Sequence, residues 1–263
     1  MKDIVLTMDI GNSSIKVGIY KGEEMVQYAR LSTDLRRTAD EYGLQLIEIF
    51  RYSDLDIKAV EGAIISSVVP PINYTIEHMC SVFFGVSPIT VGPGVKTGMN
   101  ILYKNPGEVG SDRIMTAIAA YNRYKTACVV IDFGTATTFG AVNARGDFMG
   151  GAIMPGMKVA LEALVSSTSK LPMVQFEMPE TTIARSTIAN IQSGIINGYV
   201  GAINHIVGKM KAELGTEEVH VVATGGLSRM IADETSVIED IEPRLALSGL
   251  KIVYDLNKHE EPQ

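Results

Sequence analysis

The first residues that could do chemistry lie in an Asp-x-Gly turn close to the start of the sequence. The turn and the residues after it consist of Asp9, Ile10, Gly11, Asn12, Ser13, Ser14, Ile15 and Lys16, with apolar stretches on both sides. Such a turn leaves a carboxylate at the end of a strand, and its glycine lets backbone N–H groups approach a phosphate closely. The hydroxyl groups and Lys16 add donors, so the run is a candidate phosphate-binding turn.

A second Asp-x-Gly turn occurs in the second half of the chain. It reads Asp132-Phe133-Gly134-Thr135-Ala136-Thr137-Thr138. One such turn alone is typical of an ordinary hairpin. Two copies at matched positions favour a pair of loops that clamp a polyphosphate, with Asp132 able to hold a cation that offsets the phosphate charge.

Two further glycine-rich segments are weaker signals. Val221 to Gly226 reads as a strand that ends in paired glycines, where backbone could lie flat against a nucleotide, although Gly-Gly often simply ends a strand. Gly92 to Gly98 resembles a Walker A loop, but no glycine precedes its lysine at the required spacing. We therefore expect a structural loop there and not a P-loop.

A polar loop from Tyr103 to Arg113 leads into an apolar helical pattern. Ser111 and Asp112 stand where this helix should begin. On the residues alone, a helix cap is the better supported interpretation of both side chains. A functional role for them needs further support.

An internal repeat predicts how these turns are positioned. Ile4 to Leu31 and Ala127 to Ile153 both read as three-stranded meanders with β-branched residues around glycine turns. The matched residues are Asp9 and Asp132, Gly11 and Gly134, and Gly22 and Gly146. Helix and strand patterns alternate after each meander, which predicts an α/β fold.

The remaining pattern predicts several helices and two more strands. Helices are expected over Arg37 to Arg51, Asn73 to Phe84, Met157 to Leu171 and Ser186 to Leu214, and strands over Ala59 to Val69 and Val219 to Ala223. A helix near Ile114 to Lys125 should bridge two lobes, residues 1–117 and residues 118–263.

Composition narrows the class of partner. The formal charge is −7 with no dense Lys/Arg run, which argues against nucleic acid or an anionic membrane and favours a small molecule. Cys80 and Cys128 form no CxxC pair, so neither a disulfide framework nor a zinc site is expected. We find neither a signal-peptide pattern nor an uncharged stretch of membrane-spanning length, so we expect a cytoplasmic protein.

Taken together, the motifs resemble those of type III pantothenate kinases in order and spacing over about residues 4 to 250. The motifs are Asp9 to Ser13, Gly110 to Arg113, Asp132 to Thr138, and Gly150 to Gly156. Two positions depart from the commonest pattern: Ser13, where Thr is usual, and Ser111, where Ala is usual. Both keep the local chemistry or size nearly intact.

The resemblance implies a fold and an activity. Members belong to the actin-like ATPase superfamily, with two ribonuclease-H-like lobes, each a mixed sheet flanked by helices, and a central cleft. They transfer the γ-phosphoryl group of ATP to the primary hydroxyl of pantothenate, the first step of coenzyme A biosynthesis. The resemblance also implies a homodimer, Mg²⁺, and a monovalent cation, potassium or ammonium.

It further implies roles for individual residues. The residues that would bind ATP are Asp9, Ile10, Gly11, Asn12, Ser13, Ser14, Ile15, Lys16 and Thr135. The residues that would contact pantothenate are Tyr103, Gly110, Ser111, Asp112, Arg113 and Thr187. Asp132 would hold the monovalent cation, and Asp112 would be the catalytic base, kept ionised by the helix start. Arg113 could pair with the substrate carboxylate.

Two other functions are compatible with such a fold. One is a kinase for another small hydroxylated substrate, such as a sugar. The other is a nucleotide-binding accessory factor of transcription, which could tolerate loss of the base. The chain retains Asp9, Asp112, Arg113 and Asp132 together, which favours catalysis.

Overall fold

The computed structural model describes residues 3–258, which form two compact units. The first unit contains residues 3–99, 105–119 and 245–258. The second contains residues 100–104 and 120–244. The long helices within residues 3–258 lack an apolar stretch of membrane-spanning character.

The first unit is built on a five-stranded mixed sheet. Its strands are β1 (Ile4–Ile10), β2 (Ser14–Lys21), β3 (Glu24–Ser32), β4 (Val60–Ser67) and β5 (Ile89–Thr90). β1, β2 and β3 form the predicted antiparallel meander, and β4 and β5 add in parallel beside β1. Every residue of β1 is buried, as expected for a central strand covered on both faces.

Three helices of the predicted pattern belong to this part of the chain. They are α1 (Ala39–Tyr52), α2 (Asn73–Met79), which continues as a π-helical turn over Cys80–Phe84, and α3 (Ser111–Tyr124). α1 begins with a capping box, in which Thr38 and Glu41 satisfy each other's backbone N–H groups. α3 runs from the first unit into the second, which begins again at residue 120.

The second unit repeats the same sheet. Its strands are β6 (Ala127–Phe133), β7 (Ala136–Val142), β8 (Phe148–Pro155), β9 (Val219–Gly225) and β10 (Asp240–Ile241). Their order, β10-β9-β6-β7-β8, matches the order β5-β4-β1-β2-β3 of the first sheet. The strand directions match as well, so the internal repeat predicted from the sequence is confirmed.

The helices of the second unit are α4 (Met157–Ser166), α5 (Thr187–Leu214) and α6 (Ser228–Ala232). α4 is shorter than predicted, because helical structure stops at Ser166 and not at Leu171. The connection from there to α5 contains no helix or strand.

A last helix, α7 (Leu245–Asn257), was not predicted and corrects the expected division of the chain. The sequence analysis assigned residues 118–263 to one lobe, but α7 packs against β1 and β4 of the first unit. A Cβ atom on Gly249 would overlap the carbonyl of Met115, so the glycine allows the backbones of α7 and α3 to touch. The division at residue 117 also falls inside α3.

Candidate active site

The first Asp-x-Gly turn carries an ion pair at the end of β1. Asp9 and Lys16 are partners in the antiparallel pairing of β1 with β2. The Nζ atom of Lys16 lies 3.1 Å from Oδ2 of Asp9, and the two side chains are only 22% and 8% exposed. Both predicted ATP-binding side chains are therefore fixed by the strand register.

Backbone hydrogen bonds hold the turn itself. The N–H of Gly11 donates to the carbonyl of Ser14 at 3.1 Å. The hydroxyl of Thr33, just beyond β3, donates to the carbonyl of Gly11 at 2.6 Å. In the second unit the N–H of Gly134 donates to the carbonyl of Ala136, also at 3.1 Å. The second turn is one residue shorter than the first, because Phe133 pairs with Thr137 whereas Ile10 pairs with Ile15. A glycine N–H closes both turns, although their backbone paths differ.

The predicted ATP-binding run divides into accessible and inaccessible side chains. Asn12 and Ser13 are exposed at the tip of the turn. The side chains of Ile10 and Ile15 are buried in the hydrophobic core, at 0% and 1% exposure. Any contact that these isoleucines make with a ligand is therefore limited to their backbone atoms.

Asp112 lies in the first turn of α3, within the same unit as Asp9. Burial and the negative charge of Asp9 raise the pKa of the Asp112 carboxyl, against the opposing influence of Arg113 and Lys16. The pKa is raised because burial and the second carboxylate outweigh the hydrogen bond from the N–H of Arg113 and the nearby positive charges. A base whose pKa moves toward neutrality is better matched to proton transfer.

The hydroxyl of Ser111 joins the start of α3 to the end of β4. Ser111 Oγ lies 2.8 Å from Oγ of Ser66 on β4 and donates to the carbonyl of Ser67 at 3.4 Å. The alternative interpretation of Ser111 as a helix cap is therefore not supported by its hydrogen bonds. A Cβ atom on Gly110 would lie 2.5 Å from Oδ1 of Asp112, so a side chain at this position would displace the carboxylate.

The second Asp-x-Gly turn forms an oxygen-lined cradle in the second unit. Gly225, at the end of β9, has a φ of 95°. A Cβ atom placed there would lie 2.7 Å from Oδ1 of Asp132 and 2.5 Å from the carbonyl of Phe133. Two oxygen atoms thus converge over a position that only glycine leaves open, and oxygen ligands are those that hard cations prefer.

One oxygen of this cradle belongs to the Asp132 carboxylate and the other to the neutral carbonyl of Phe133. Within residues 3–258, no cluster of three or more His, Cys, Asp or Glu side chains could hold a metal ion. Because cation affinity rises with the number and charge of the ligands, these two oxygens alone do not make a tight site for a divalent cation.

Thr135 lies at the exposed tip of the second turn, next to the start of α4. The N–H of Gly156, which precedes α4, donates to the carbonyl of Thr135 at 3.0 Å. The hydroxyl of Tyr199 on α5 donates to the carbonyl of Pro155 at 2.6 Å. The turn, the end of β8 and the start of α4 are therefore fastened together.

The six residues expected to contact pantothenate divide between the units. Gly110, Ser111, Asp112 and Arg113 lie in the first, and Tyr103 and Thr187 lie in the second. The Tyr103 ring packs near Gly150, 3.5 Å from where its Cβ would be. Thr187 is the exposed first residue of α5, and the residues just before it line a pocket of about 790 Å³.

Two buried hydroxyl groups beside the aspartates were not singled out from the sequence. Ser66 pairs with Asp9 across β1 and β4, and Thr224 pairs with Asp132 across β6 and β9. Their exposures are 0% and 2%. The sequence did contain a signal for them. In each half, a hydroxyl residue stands near the end of the apolar strand that pairs in parallel with the first strand of the meander.

Comparison with solved structures supports the fold. A structure assigned to the Baf family of transcriptional activators from Campylobacter jejuni is 17% identical, with a TM-score of 0.62, and the match covers 97% of this chain and 100% of that one. A 2-dehydro-3-deoxygalactonokinase structure from Sinorhizobium meliloti is 11% identical, with a TM-score of 0.60 and 98% of both chains covered. A structure assigned as an N-acetylmannosamine kinase from Listeria monocytogenes is 12% identical, with a TM-score of 0.53, and the match covers 97% of this chain and 100% of that one. The fold is that of the actin-like ATPases.

Comparison with sequence families is more specific. A family model described as type III pantothenate kinase matches residues 5–209, which is most of the 263 residues. Members of a kinase family bind ATP and transfer a phosphoryl group, so the protein is an ATP-binding phosphotransferase. The two repeated Asp-x-Gly turns are compatible with this activity. The chain belongs to the type III pantothenate kinase family.

Proposed function

We propose that this chain phosphorylates the primary hydroxyl of pantothenate with the γ-phosphoryl group of ATP. The product would be 4'-phosphopantothenate, which makes the reaction the first step of coenzyme A biosynthesis. The family match over residues 5–209 supports the substrate. The observation that carries the chemistry is the position of Asp112 at the start of α3, where the charge of Asp9 acts on it.

We propose that the run from Asp9 to Lys16 binds the phosphates of ATP. Phosphoryl transfer depends mainly on alignment and on neutralising charge that is spread over the phosphate oxygens. The turn offers backbone N–H groups, the exposed hydroxyl of Ser13, and Lys16, which the ion pair with Asp9 holds in place. Thr135 of the second turn is likewise proposed to bind ATP, as the repeat of the Asp-x-Gly motif suggests.

Asp112 is proposed to accept the proton of the pantothenate hydroxyl. Its raised pKa brings the carboxyl toward the range in which a general base works efficiently. Arg113 would pair with the carboxylate of pantothenate, since guanidinium and carboxylate groups form strong charge-assisted hydrogen bonds. Gly110 and Ser111 would present backbone groups, and Tyr103 and Thr187 are also proposed to contact pantothenate.

Asp132 is proposed to hold potassium or ammonium in the oxygen-lined cradle beside Gly225. The convergence of Asp132 Oδ1 and the Phe133 carbonyl over Gly225 fits an ion with oxygen ligands. A bound monovalent cation, together with the Mg²⁺ that accompanies ATP, would supply positive charge to the phosphates.

Assembly and location are proposals that rest on family membership. We propose a homodimer in the cytoplasm. Strongly exposed apolar side chains in the second unit, such as Ile153 and Ile183, and the long helix α5 are candidates for the interface. Light scattering coupled to size-exclusion chromatography measures the mass directly, and a monomer at all concentrations would contradict the dimer.

The substrate is tested by identifying the product. Purified protein with ATP and pantothenate should yield phosphopantothenate by mass spectrometry, whereas N-acetylmannosamine and 2-dehydro-3-deoxygalactonate should not be phosphorylated. Asp112→Asn should lower kcat by roughly 10²- to 10⁴-fold. Asp40→Asn is a matched control, because Asp40 is also the second residue of a helix, α1, but is exposed. Preferred turnover of a sugar, or full activity of Asp112→Asn, would overturn the assignment.

A further inference from the structure

Ser66 lies beside Asp9 in the first sheet and is fully buried. The parallel pairing of β1 and β4 makes these two residues register partners. Ser66 has 0% exposure, so no solvent reaches its hydroxyl. Side chains alternate between the two faces along each strand, and register partners share a face. The side chains of Ser66 and Asp9 therefore leave the sheet on the same side.

The hydroxyl of Ser66 fastens the start of α3 to this face. Its Oγ lies 2.8 Å from Oγ of Ser111, the first residue of α3. The end of β4 is in turn tied to the end of β1, because the N–H of Val68 donates to the carbonyl of Ile10 at 3.0 Å. The start of the helix is thus connected to the strand end that carries Asp9.

Asp112 follows Ser111 directly and is tightly held. Its Oδ1 accepts a hydrogen bond from the N–H of Arg113 at 2.8 Å. Its carboxylate also fills the space where a side chain at Gly110 would lie. Because these contacts involve the backbone of the helix start, a shift of Ser111 moves the carboxylate with it.

We propose that Ser66 is a positioning residue, whose hydroxyl acts through Ser111 to set where the Asp112 carboxylate lies relative to the Asp9 turn. This inference rests on the proposed function, in which Asp112 is the base. Ser66 touches no substrate in this scheme. The equivalent position in the second sheet, Thr224 opposite Asp132, also carries a buried hydroxyl.

The kinetic test uses the single and double alanine variants of the pair. Ser66→Ala should lower kcat roughly ten- to hundredfold, because small displacements of a catalytic group have effects of this size. Its KM for ATP should stay within about twofold, since the phosphate-binding turn is unchanged. The neighbouring Ser67→Ala is the matched control, because the Ser67 hydroxyl accepts the N–H of Val69 within its own turn. The kcat of this variant should stay within about twofold.

The double variant separates positioning from packing. Each single variant breaks the bond between the two hydroxyls and should lower the unfolding midpoint, whereas Ser66→Ala/Ser111→Ala leaves neither hydroxyl of the pair buried and should recover part of it. The kcat of the double variant should nevertheless stay low, because the tether is gone. Recovery of kcat together with the midpoint would overturn the proposal. Ser111→Thr keeps the hydroxyl and should retain turnover, and a loss as large as that of Ser111→Ala would also contradict it.

A second measurement is independent of turnover. The Asp112 carboxyl can be titrated by carbon-detected NMR in the wild-type protein and in Ser66→Ala. Burial and Asp9 raise the pKa of Asp112, and release of the helix start should move this pKa back toward the ordinary range of aspartate. An unchanged titration would overturn the proposal. If wild-type protein does not phosphorylate pantothenate, the proposed function fails, and this titration still decides the role of Ser66.

Discussion

Replacing Lys16 with methionine should destabilise the first unit, because the Asp9 carboxylate then loses its ammonium partner. The two groups are 3.1 Å apart, and the Asp9 side chain is only 8% exposed. Removing one partner of a buried ion pair typically costs about 3–5 kcal/mol. The Lys16 side chain is 22% exposed, so water partly replaces the lost charge. We expect a loss of about 3 kcal/mol in the free energy of unfolding, at the lower end of that range.

The same strand provides a matched control. Lys21 pairs with Asp3 at 3.6 Å, but these side chains are 59% and 36% exposed. Exposed pairs of this kind contribute about 1 kcal/mol or less. Urea unfolding followed by far-ultraviolet circular dichroism should therefore separate Lys16→Met from Lys21→Met by about 2 kcal/mol. Equal losses in the two variants would refute the reasoning.

A double-mutant cycle tests the cause. Asp9→Asn alone should cost about 1 kcal/mol, so independent effects would add to about 4 kcal/mol in Lys16→Met/Asp9→Asn. We expect the double variant to lose only about 1–2 kcal/mol, because no buried carboxylate is then left without its ammonium partner. Lys16 also helps to lower the pKa of Asp112. The acid limb of the pH–rate profile should therefore move to higher pH in Lys16→Met, and an unchanged limb would contradict the coupling.

Three other outcomes follow from the structure. Because the folded pKa of Asp112 is raised, its stabilising effect is present below the unfolded pKa and is lost as the pH rises through the folded one. Asp112→Asn should thus melt above wild type at neutral pH, and the difference should shrink in acid. A lower melting temperature of the variant at pH 7 would contradict this. Gly225→Ala should lower the free energy of unfolding by about 3 kcal/mol and abolish the response to potassium, because Gly225 has a positive φ and a Cβ atom there would overlap two oxygens. Gly226→Ala is the control: a Cβ atom there meets open space, so its free energy of unfolding in denaturant titrations should change little. Gly249→Ala should be destabilised by about 2 kcal/mol or more, because a Cβ atom there would overlap the backbone of α3. Gly208→Ala, whose Cβ atom would meet open space on α5, should be stabilised by roughly 0.5–1 kcal/mol. Melting temperatures that shift in the same direction in both variants would be inconsistent with the helix packing.

Local sequence patterns were sufficient to predict the two meanders and their turns. Apolar strands that end in Asp-x-Gly are recognisable from neighbouring residues alone, and a glycine N–H closes each of the two turns. The repeat then predicted that both halves share one sheet topology, which the strand order confirms.

The helix α7 could not be recognised in the same way. Gly249 lowers its helix propensity, and Lys251 interrupts the expected contrast between apolar and polar faces. The structure shows Lys251 only 5% exposed, with its ammonium group 2.5 Å from Asp255 one turn later. The return of this helix to the first sheet depends on contacts with strands near the start of the chain, which no local pattern contains.

The candidate site shows the same limit. Asp112 could be named by resemblance, but the direction of its pKa depends on burial and on Asp9, which is distant in sequence. The bond between Ser66 and Ser111 joins residues 45 positions apart. Such positioning contacts arise only when the strands and α3 come together in the fold.

The most direct test of the proposed function is the rate of ADP release by purified protein with ATP and Mg²⁺, in potassium and in sodium buffers, with and without pantothenate. Release should require pantothenate and should be markedly faster in potassium than in sodium. ADP release that is indifferent to pantothenate in both buffers would contradict the proposal that this chain is a pantothenate kinase.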